Sequence, residues 1–158
     1  MTDASFEDGR EAPLNLGAQD TDDLQVISTL AQDAVFPVTE MTWQPAKRRF
    51  GLLLNRFRWE DKDAAARRDR RFERVQSVLV FDSVLSVASQ GIDRSDKDLI
   101  LSLLSVDFEA VEDGAGQVLL TLAGDGAIRL KVEALDATLK DVTRPYLAPS
   151  GQAPHHPE

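Results

Sequence analysis

Residues 75–90 read VQSVLVFDSVLSVASQ, the longest run of strand-favouring residues in the chain. In an extended chain Leu79 and Phe81 share one face, while Val78 and Val80 share the other. Apolar side chains on both faces predict a strand inside a sheet, with a neighbouring strand on each side. We expect the rest of the fold to be arranged around this strand.

A polar pair, Asp82 and Ser83, interrupts the apolar run before it resumes at Val84. Polar residues between two strand segments favour a bulge or a tight bend. The pair therefore predicts that one long segment curves around a core or turns back on itself.

Further strands are predicted on both sides of this stretch from runs of alternating or continuous apolar residues. They cover residues 35–38, 41–44, 48–59, 99–110, 117–123 and 127–134. The last two flank Gly124, Asp125 and Gly126, which predict a hairpin turn. Leu79, Phe81, Leu130 and Val132 are the predicted core residues, and Ile100, Leu104, Val106 and Phe108 are expected to face inward from their strand.

Two helices are predicted. Asp20 and Thr21 offer capping oxygens before a helical apolar pattern that indicates a helix over residues 21–33, and Pro37 prevents its continuation. Near the other end, Asp136 can cap a helix, and Leu135, Leu139 and Val142 recur at helical spacing, which predicts a short C-terminal helix. The expected fold class is α+β and mainly antiparallel, with a bent sheet or open barrel between these helices.

The chain contains 158 residues, which suit a single domain with tails. Residues 1–18 are acidic and poor in large apolar groups, and we expect a disordered leader there. The domain is predicted over 19–146, and the proline-rich segment 147–158 is expected to be a flexible tail.

Composition excludes several kinds of site. The chain has no cysteine, which rules out disulfides, thiolate nucleophiles and cysteine-ligated metal sites. Both histidines, His155 and His156, lie in the predicted tail, so no histidine is available in the domain as a base or ligand. We predict no metal ion and no cofactor.

The absence of a long apolar run predicts no membrane span, and we expect a cytoplasmic protein.

Charge is unevenly distributed along the chain, whose formal net charge is -9. Acidic residues dominate up to residue 23, whereas Lys47–Arg74 is rich in arginine with interleaved aromatic residues. Guanidinium groups on one rim would suit a phosphate-bearing ligand or an acidic protein surface. The predicted binding residues are Arg48, Arg56, Arg58, Arg70 and Arg71. Nucleic acid is not expected as a partner, because the total charge is acidic and no nucleic-acid module is recognisable.

Two classes of function remain open. The first is a non-enzymatic binding or scaffold module that recognises an acidic partner through the arginine-rich rim. The alternative is an enzyme or enzyme subunit that uses carboxylate and arginine groups, with Asp82 as its most apolar-flanked acid. A closed pocket around a buried acid would favour the enzyme, and an exposed arginine rim would favour binding.

The segments LNRFRWE, FDSVLSV and QGIDR, within residues 20–144, resemble an uncharacterised bacterial family, domain of unknown function 2948. The resemblance implies a soluble bacterial protein and transfers no functional residue. The order of elements is also similar to the pleckstrin-homology-like superfold, in which a bent sheet is capped by a C-terminal helix. That likeness implies binding rather than catalysis, by fold analogy alone.

Overall fold

The computed structural model describes residues 13–59 and 73–144, together with the backbone of 146–147. One α-helix, α1 (Thr21–Leu30), and eleven strands of a single antiparallel sheet occupy these residues. The strands are β1 (Asn15–Ala18), β2 (Val35–Pro37), β3 (Met41–Gln44), β4 (Arg49–Phe57), β5 (Glu73–Phe81), β6 (Val84–Gln90), β7 (Ile100–Ala110), β8 (Gly116–Leu122), β9 (Ala127–Val132), β10 (Ala137–Asp141) and β11 (Tyr146–Leu147). The α+β, mainly antiparallel fold class is confirmed.

The sheet runs in the order β1, β10, β5, β4, β2, β7, β8, β9, β6, with β3 attached to β4 and β11 to β5. The first half of the sheet contains β1, β10, β5 and β4, and the second half contains β7, β8, β9 and β6. The short strand β2 joins the two halves by pairing with β4 on one side and with β7 on the other. Because β6 ends this order without meeting β1 or β3, the sheet is bent but not closed into a barrel. An open seam therefore separates β3 from β6.

The chain passes from one half of the sheet to the other at the predicted bend. β5 ends at Phe81 in the first half and β6 begins at Val84 at the far edge of the second. Ser83 between them has φ 61°, in the left-handed region that reverses the direction of a chain. The bend at Asp82 and Ser83 is confirmed, and it sends the second half of the long apolar run to the edge of the sheet.

The core lies between the two halves and is closed by α1. All four predicted core residues, Leu79, Phe81, Leu130 and Val132, are buried. The helix adds Leu24 and Ile27 to the core and packs against β7 and β1. Its N-terminus is capped as predicted, since the Asp20 carboxylate accepts the N–H of Asp23 at 2.8 Å.

The predicted C-terminal helix is wrong, because residues 137–141 form strand β10 between β1 and β5. Leu135, Leu139 and Val142 fit a helical spacing, but Ala137, Leu139 and Asp141 also alternate and are buried on one face of the strand. Two neighbouring strands provide backbone partners on both sides, and this tertiary pairing outweighs local periodicity. The described residues therefore lack the C-terminal helix of the pleckstrin-homology-like plan.

The predicted leader is wrong at its last four residues, since Asn15–Ala18 form β1 and pair with β10. Leu16 packs against the core, and the burial of this one large apolar side chain helps to hold the short strand on β10. Residues 1–12 of the leader lie outside the described residues. At the other end, Leu147 belongs to β11, and residues 148–158 of the predicted tail also lie outside.

One face of β7 is also assigned wrongly from sequence. Ile100 is exposed, whereas Leu101 and Leu103 are buried. The pairing with β8 shifts between Leu103 and Ser105, so the alternation changes phase there and Val106 is buried again. A bulge that reverses the alternation cannot be seen in a strictly periodic pattern.

Candidate functional site

The five predicted arginines do not form one rim among the described residues. Arg48 is on the surface, where its guanidinium pairs with Glu133. Arg70 and Arg71 lie outside the described residues. Arg56 and Arg58 are almost fully buried, at 0% and 3% relative exposure. The interpretation of Arg56 and Arg58 as exposed rim residues is therefore wrong.

Arg56 is part of a buried polar cluster with Ser77 and Asp141. Its Nη2 lies 3.0 Å from Asp141 Oδ1 and 3.3 Å from Oδ2, and its Nε donates to Ser77 Oγ at 3.0 Å. Ser77 Oγ donates to Asp141 Oδ1 at 2.6 Å, and the N–H of Leu14 donates to Oδ2 at 2.8 Å. Both oxygens of the Asp141 carboxylate are thus engaged by groups of this chain, as a buried charge requires.

The strand pattern explains why Arg56 is inside. It lies on the same face of β4 as Phe50, Leu52 and Leu54, all of which are buried. The next strand pairs Ser77 with Asp141 and brings both onto that core face. The alternation was visible in the sequence, but the burial of Arg56 depends on Asp141, whose strand was predicted as a helix.

Arg58 lies just beyond the end of β4 and has its own acid. Its Nη1 donates to Glu73 Oε1 at 2.8 Å, and its N–H donates to the Glu73 carbonyl oxygen at 2.9 Å. Next to it, the guanidinium carbon of Arg74 lies 4.0 Å from the centre of the Phe57 ring, a cation–π contact. The arginines at this end of the sheet have partners within the chain.

The carboxylate predicted for the enzyme alternative is not buried in a pocket. Asp82 is partly exposed, and its Oδ1 accepts Arg49 Nε at 2.8 Å. Asp141 is buried, but its oxygens are held by Arg56, Ser77 and Leu14, and it lines neither of the two clefts described below. Neither Asp82 nor Asp141 lines one of these two clefts.

Within residues 13–59 and 73–144, no group of three or more histidine, cysteine, aspartate or glutamate side chains is arranged to hold a metal ion. No helix in this part of the chain has the length and apolar character needed to cross a membrane. His155 and His156 lie outside it.

The open seam between β3 and β6 contains a cleft that sequence reasoning missed. Its empty volume is about 410 Å³, part of which is open to solvent. Four strands and one loop provide its walls. The lining residues are Met41, Trp43, Phe50, Val87, Ser89, Arg94 and Ile128. The cleft is therefore a mainly apolar slot with one guanidinium group, and its space for water-sized molecules, about 70 Å³, is well below the size range of small-molecule pockets.

Arg94 reaches the cleft from the connection between β6 and β7. Gly91 starts this connection with φ 70°, and a Cβ there would lie 2.9 Å from the carbonyl oxygen of Asp125, so glycine is required. Asp93 then accepts the N–H of Ser95 at 3.0 Å and also its hydroxyl group. The hydrogen bond from the Ser95 side chain, aided by the bond from its backbone, lowers the pKa of Asp93. The turn that carries Arg94 is thus held by an ionised aspartate.

A second cleft lies at the outer surface around β2, where the short strand leaves β4 and β7 apart. Its lining residues are Val35, Phe36, Pro37, Glu40, Leu53, Leu54, Asn55, Gln76 and Ile100, and its empty volume is about 610 Å³ with open solvent included. No arginine or lysine is among these residues. Of these two clefts, the one in the seam combines an apolar slot with a cation.

No local signal in the sequence joins Arg94 to Trp43. The two residues come together only because β6 is the last strand in the order of the sheet and β3 is attached to β4 beside that order. One sequence signal was available, since β6 reads VLSVASQ and contains neither a charged residue nor proline. Such a composition is unusual for a strand at the edge of a sheet.

The architecture defines an α+β domain built on one bent, unclosed antiparallel sheet. Residues 14–156 match the model of a protein family described as Protein of unknown function (DUF2948). The match covers most of the chain, so the protein belongs to this family, as its sequence segments indicated. No curated protein and no solved structure matches it.

Proposed function

We propose that the protein is a non-enzymatic binding module that holds an acidic segment of a partner protein in the cleft of the open seam. The observation that carries this proposal is the composition of the cleft, in which aromatic and aliphatic side chains surround the guanidinium of Arg94. An apolar slot suits a large side chain of the partner, and a guanidinium beside it suits a carboxylate.

The charge that the partner supplies follows from the state of the surface arginines. Arg48 is paired with Glu133 and Arg49 with Asp82. Within residues 13–59 and 73–144, no ion pair involves Arg94. A guanidinium that is already paired with a carboxylate is stabilised little by a second one, whereas Arg94 can pair with a carboxylate of another molecule. The acidic partner predicted from the sequence is thus retained, with Arg94 in place of the buried Arg56.

No observation favours the enzyme alternative. An enzyme of this kind requires an acid or base that contacts a substrate. The two acids considered above, Asp82 and Asp141, are instead paired with arginines of the same chain. The proposed site of action is the bacterial cytoplasm. This location is supported by the sequence composition and by the resemblance to a bacterial family.

A peptide selection tests the proposal. A displayed library of random linear peptides is selected on the intact protein, and we expect enriched peptides that combine an aspartate or glutamate with a large apolar residue. Binding of one synthetic enriched peptide is then measured from the fluorescence of Trp43 in a Trp59→Phe background. Affinity should fall as salt rises, since exposed charges are screened beyond about 8 Å at physiological ionic strength.

Arg94→Glu is the decisive variant, and Arg129→Glu is its matched control. Both change the charge by the same amount, but Arg129 is exposed on the face of β9 opposite to the cleft-lining Ile128, and it donates a hydrogen bond to Gln117. We expect Arg94→Glu to weaken binding at least about tenfold, as for loss of a charge-assisted hydrogen bond. Arg129→Glu should bind nearly normally. Equal losses in both variants, or no enriched peptide, would contradict the proposal.

The acidic leader is the competing source of carboxylates for Arg94. A deletion that tests it must stop at residue 12, because Leu14 contacts Asp141 and β1 begins at Asn15. Removal of residues 1–12 should leave peptide binding unchanged or make it stronger. Loss of binding in this variant would assign the recognition to the leader and contradict a role for the cleft.

A further inference from the structure

We infer that the partner segment binds as an added β-strand on the outer edge of β6, antiparallel to it. This inference rests on the proposed function, because it specifies how the acidic segment is held in the seam. It requires that β6 direct unpaired backbone groups into the seam at the residues that also line the cleft. The hydrogen-bond register of the neighbouring strands supplies this information.

The register begins at the hairpin between β8 and β9. Leu122 N–H donates to the carbonyl oxygen of Gly126 at 2.9 Å, so these residues form a hydrogen-bonded pair. In an antiparallel ladder, bonded and non-bonded pairs alternate. Ile128 and Leu130 are the next bonded positions toward β8, two and four residues further along β9. The residues between them direct their N–H and C=O groups to the other side, toward β6.

Arg129 is one of those intervening residues, and it lies opposite Ala88 of β6. Ala88 therefore directs its backbone groups toward β9. Its neighbours Val87 and Ser89 direct theirs away from β9, into the seam. Both residues also line the cleft with their side chains. The same two positions thus offer backbone partners and the wall of a side-chain pocket.

The composition of β6 supports an added strand. A sheet edge is normally protected by charged residues, proline or a covering element, because free backbone groups attract other strands. β6 has none of the first two, and among the described residues its only strand neighbour is β9. Val84 gives the one edge bond seen there, from its N–H to the Arg48 carbonyl oxygen at 2.9 Å. Beyond Val84, the free N–H and C=O groups of β6 can therefore pair with the backbone of an extended peptide.

The arrangement predicts the order of residues in the partner. Side chains opposite Ser89 and Val87 lie on the cleft face and are two residues apart in the added strand. Arg94 follows the Ser89 end of β6, so the acid lies opposite Ser89 and the apolar residue opposite Val87. Since an antiparallel strand passes Ser89 first, the recognised pattern is acidic, any residue, apolar. Every pairing in this sheet is antiparallel, which favours that direction.

N-methylated peptides test the inference directly. The probe is a synthetic nine-residue peptide with this pattern at its centre, assayed on the full chain by Trp43 fluorescence. N-methylation of the apolar residue removes the N–H expected to bond Val87, and should weaken binding roughly tenfold to a hundredfold. N-methylation of the middle residue, whose N–H points away from β6, is the matched control and should have little effect.

A protein variant gives an independent readout. Ser89→Pro removes an N–H that faces the seam, where an edge strand tolerates proline, and Ser89→Ala changes only the side chain. We expect Ser89→Pro to lose peptide affinity at an unchanged melting temperature, and Ser89→Ala, which keeps the N–H, to lose clearly less. If Ser89→Pro fails to fold, the methylated peptides still decide.

The outcomes separate this inference from the proposed function. If the peptide binds in an Arg94-dependent manner but both methylated forms bind equally well, the cleft is a binding site and the added strand is wrong. If no peptide of either order binds, both proposals fail. Self-association of the free chain that competes with the peptide, measured by sedimentation, would assign the edge to a second copy and overturn the inference.

Discussion

The arginines at the two ends of the sheet differ in burial and in their partners. At one end Arg56 is fully buried, and its guanidinium is held by Asp141, Ser77 and the carbonyl oxygen of Phe57. At the other end Arg94 is exposed at the edge of an apolar cleft. The same type of side chain therefore joins strands where the sheet is paired, and lies exposed beside a cleft where the sheet is open.

The physical difference lies in the acids. A buried guanidinium is tolerable only with a carboxylate and further hydrogen bonds, and Asp141 meets this requirement. Such a cluster fixes three strands and the start of β1, because the Leu14 N–H also bonds Asp141. Its guanidinium and carboxylate groups are engaged within the chain. Arginine density in a sequence is thus a poor guide to a binding surface unless the positions of the acids are known.

The largest effect is expected at the buried cluster. Asp141→Ala leaves Arg56 buried without its carboxylate, and loss of one partner of a buried ion pair costs about 3–5 kcal/mol. The free energy of unfolding from urea melts should fall by this amount. A loss below about 1 kcal/mol would contradict the burial of this pair and would remove the contrast between the two ends.

A pair of aromatic substitutions compares the core with the seam. Phe81→Ala should cost about 3–5 kcal/mol, because Phe81 is fully buried. Trp43→Ala removes a larger side chain but should cost only about 1–2 kcal/mol, since Trp43 is half-buried and faces the open cleft. Equal losses in urea melts would show that the seam is packed like the core, and that it is not an opening.

The surface pair between Arg48 and Glu133 should contribute little. Both side chains are about half exposed, at 57% and 49%, so water screens their attraction. Glu133→Ala should change the free energy of unfolding by less than about 1 kcal/mol. Arg48→Ala is its matched control and should give the same small change. A loss comparable to that of Asp141→Ala would contradict the distinction between buried and surface pairs.

The smallest effect concerns the turn that carries Arg94. Because Ser95 lowers the pKa of Asp93, the ionised carboxylate stabilises the turn above the ordinary pKa of aspartate, and this stabilisation is lost as pH falls through the lowered value. Ser95→Ala should raise the pKa of Asp93 toward its ordinary value, as followed by NMR titration of the carboxyl carbon. An unchanged pKa in this variant would show that the Ser95 hydroxyl does not hold Asp93.

The fold was predictable where local pattern and tertiary pairing agree. β5 and the β8–β9 hairpin are strongly patterned, and the bend at Ser83 follows from a polar pair inside an apolar run. β10 was not predictable in the same way, because Leu139 satisfies both a helical and an alternating pattern. The choice between them depends on β1 and β5, which provide its backbone partners.

The candidate site was less predictable than the fold. Alternation along β4 placed Arg56 with Leu52 and Leu54, and this pattern indicates burial once a buried acid is known. The cleft is different, because Trp43 and Arg94 lie far apart in the sequence and no spacing rule relates them. Their proximity is a property of the strand order, which the sequence pattern alone does not determine.

We propose the open seam, and not the buried arginine cluster, as the binding surface. Chemical-shift mapping of the full chain with an enriched acidic peptide tests this proposal most directly. We expect shifts at the Trp43 indole N–H, Val87, Ser89 and Arg94, with Arg56 and Ser77 unchanged. Shifts centred on Arg56, Arg58 and their strand neighbours, with the seam unaffected, would contradict it.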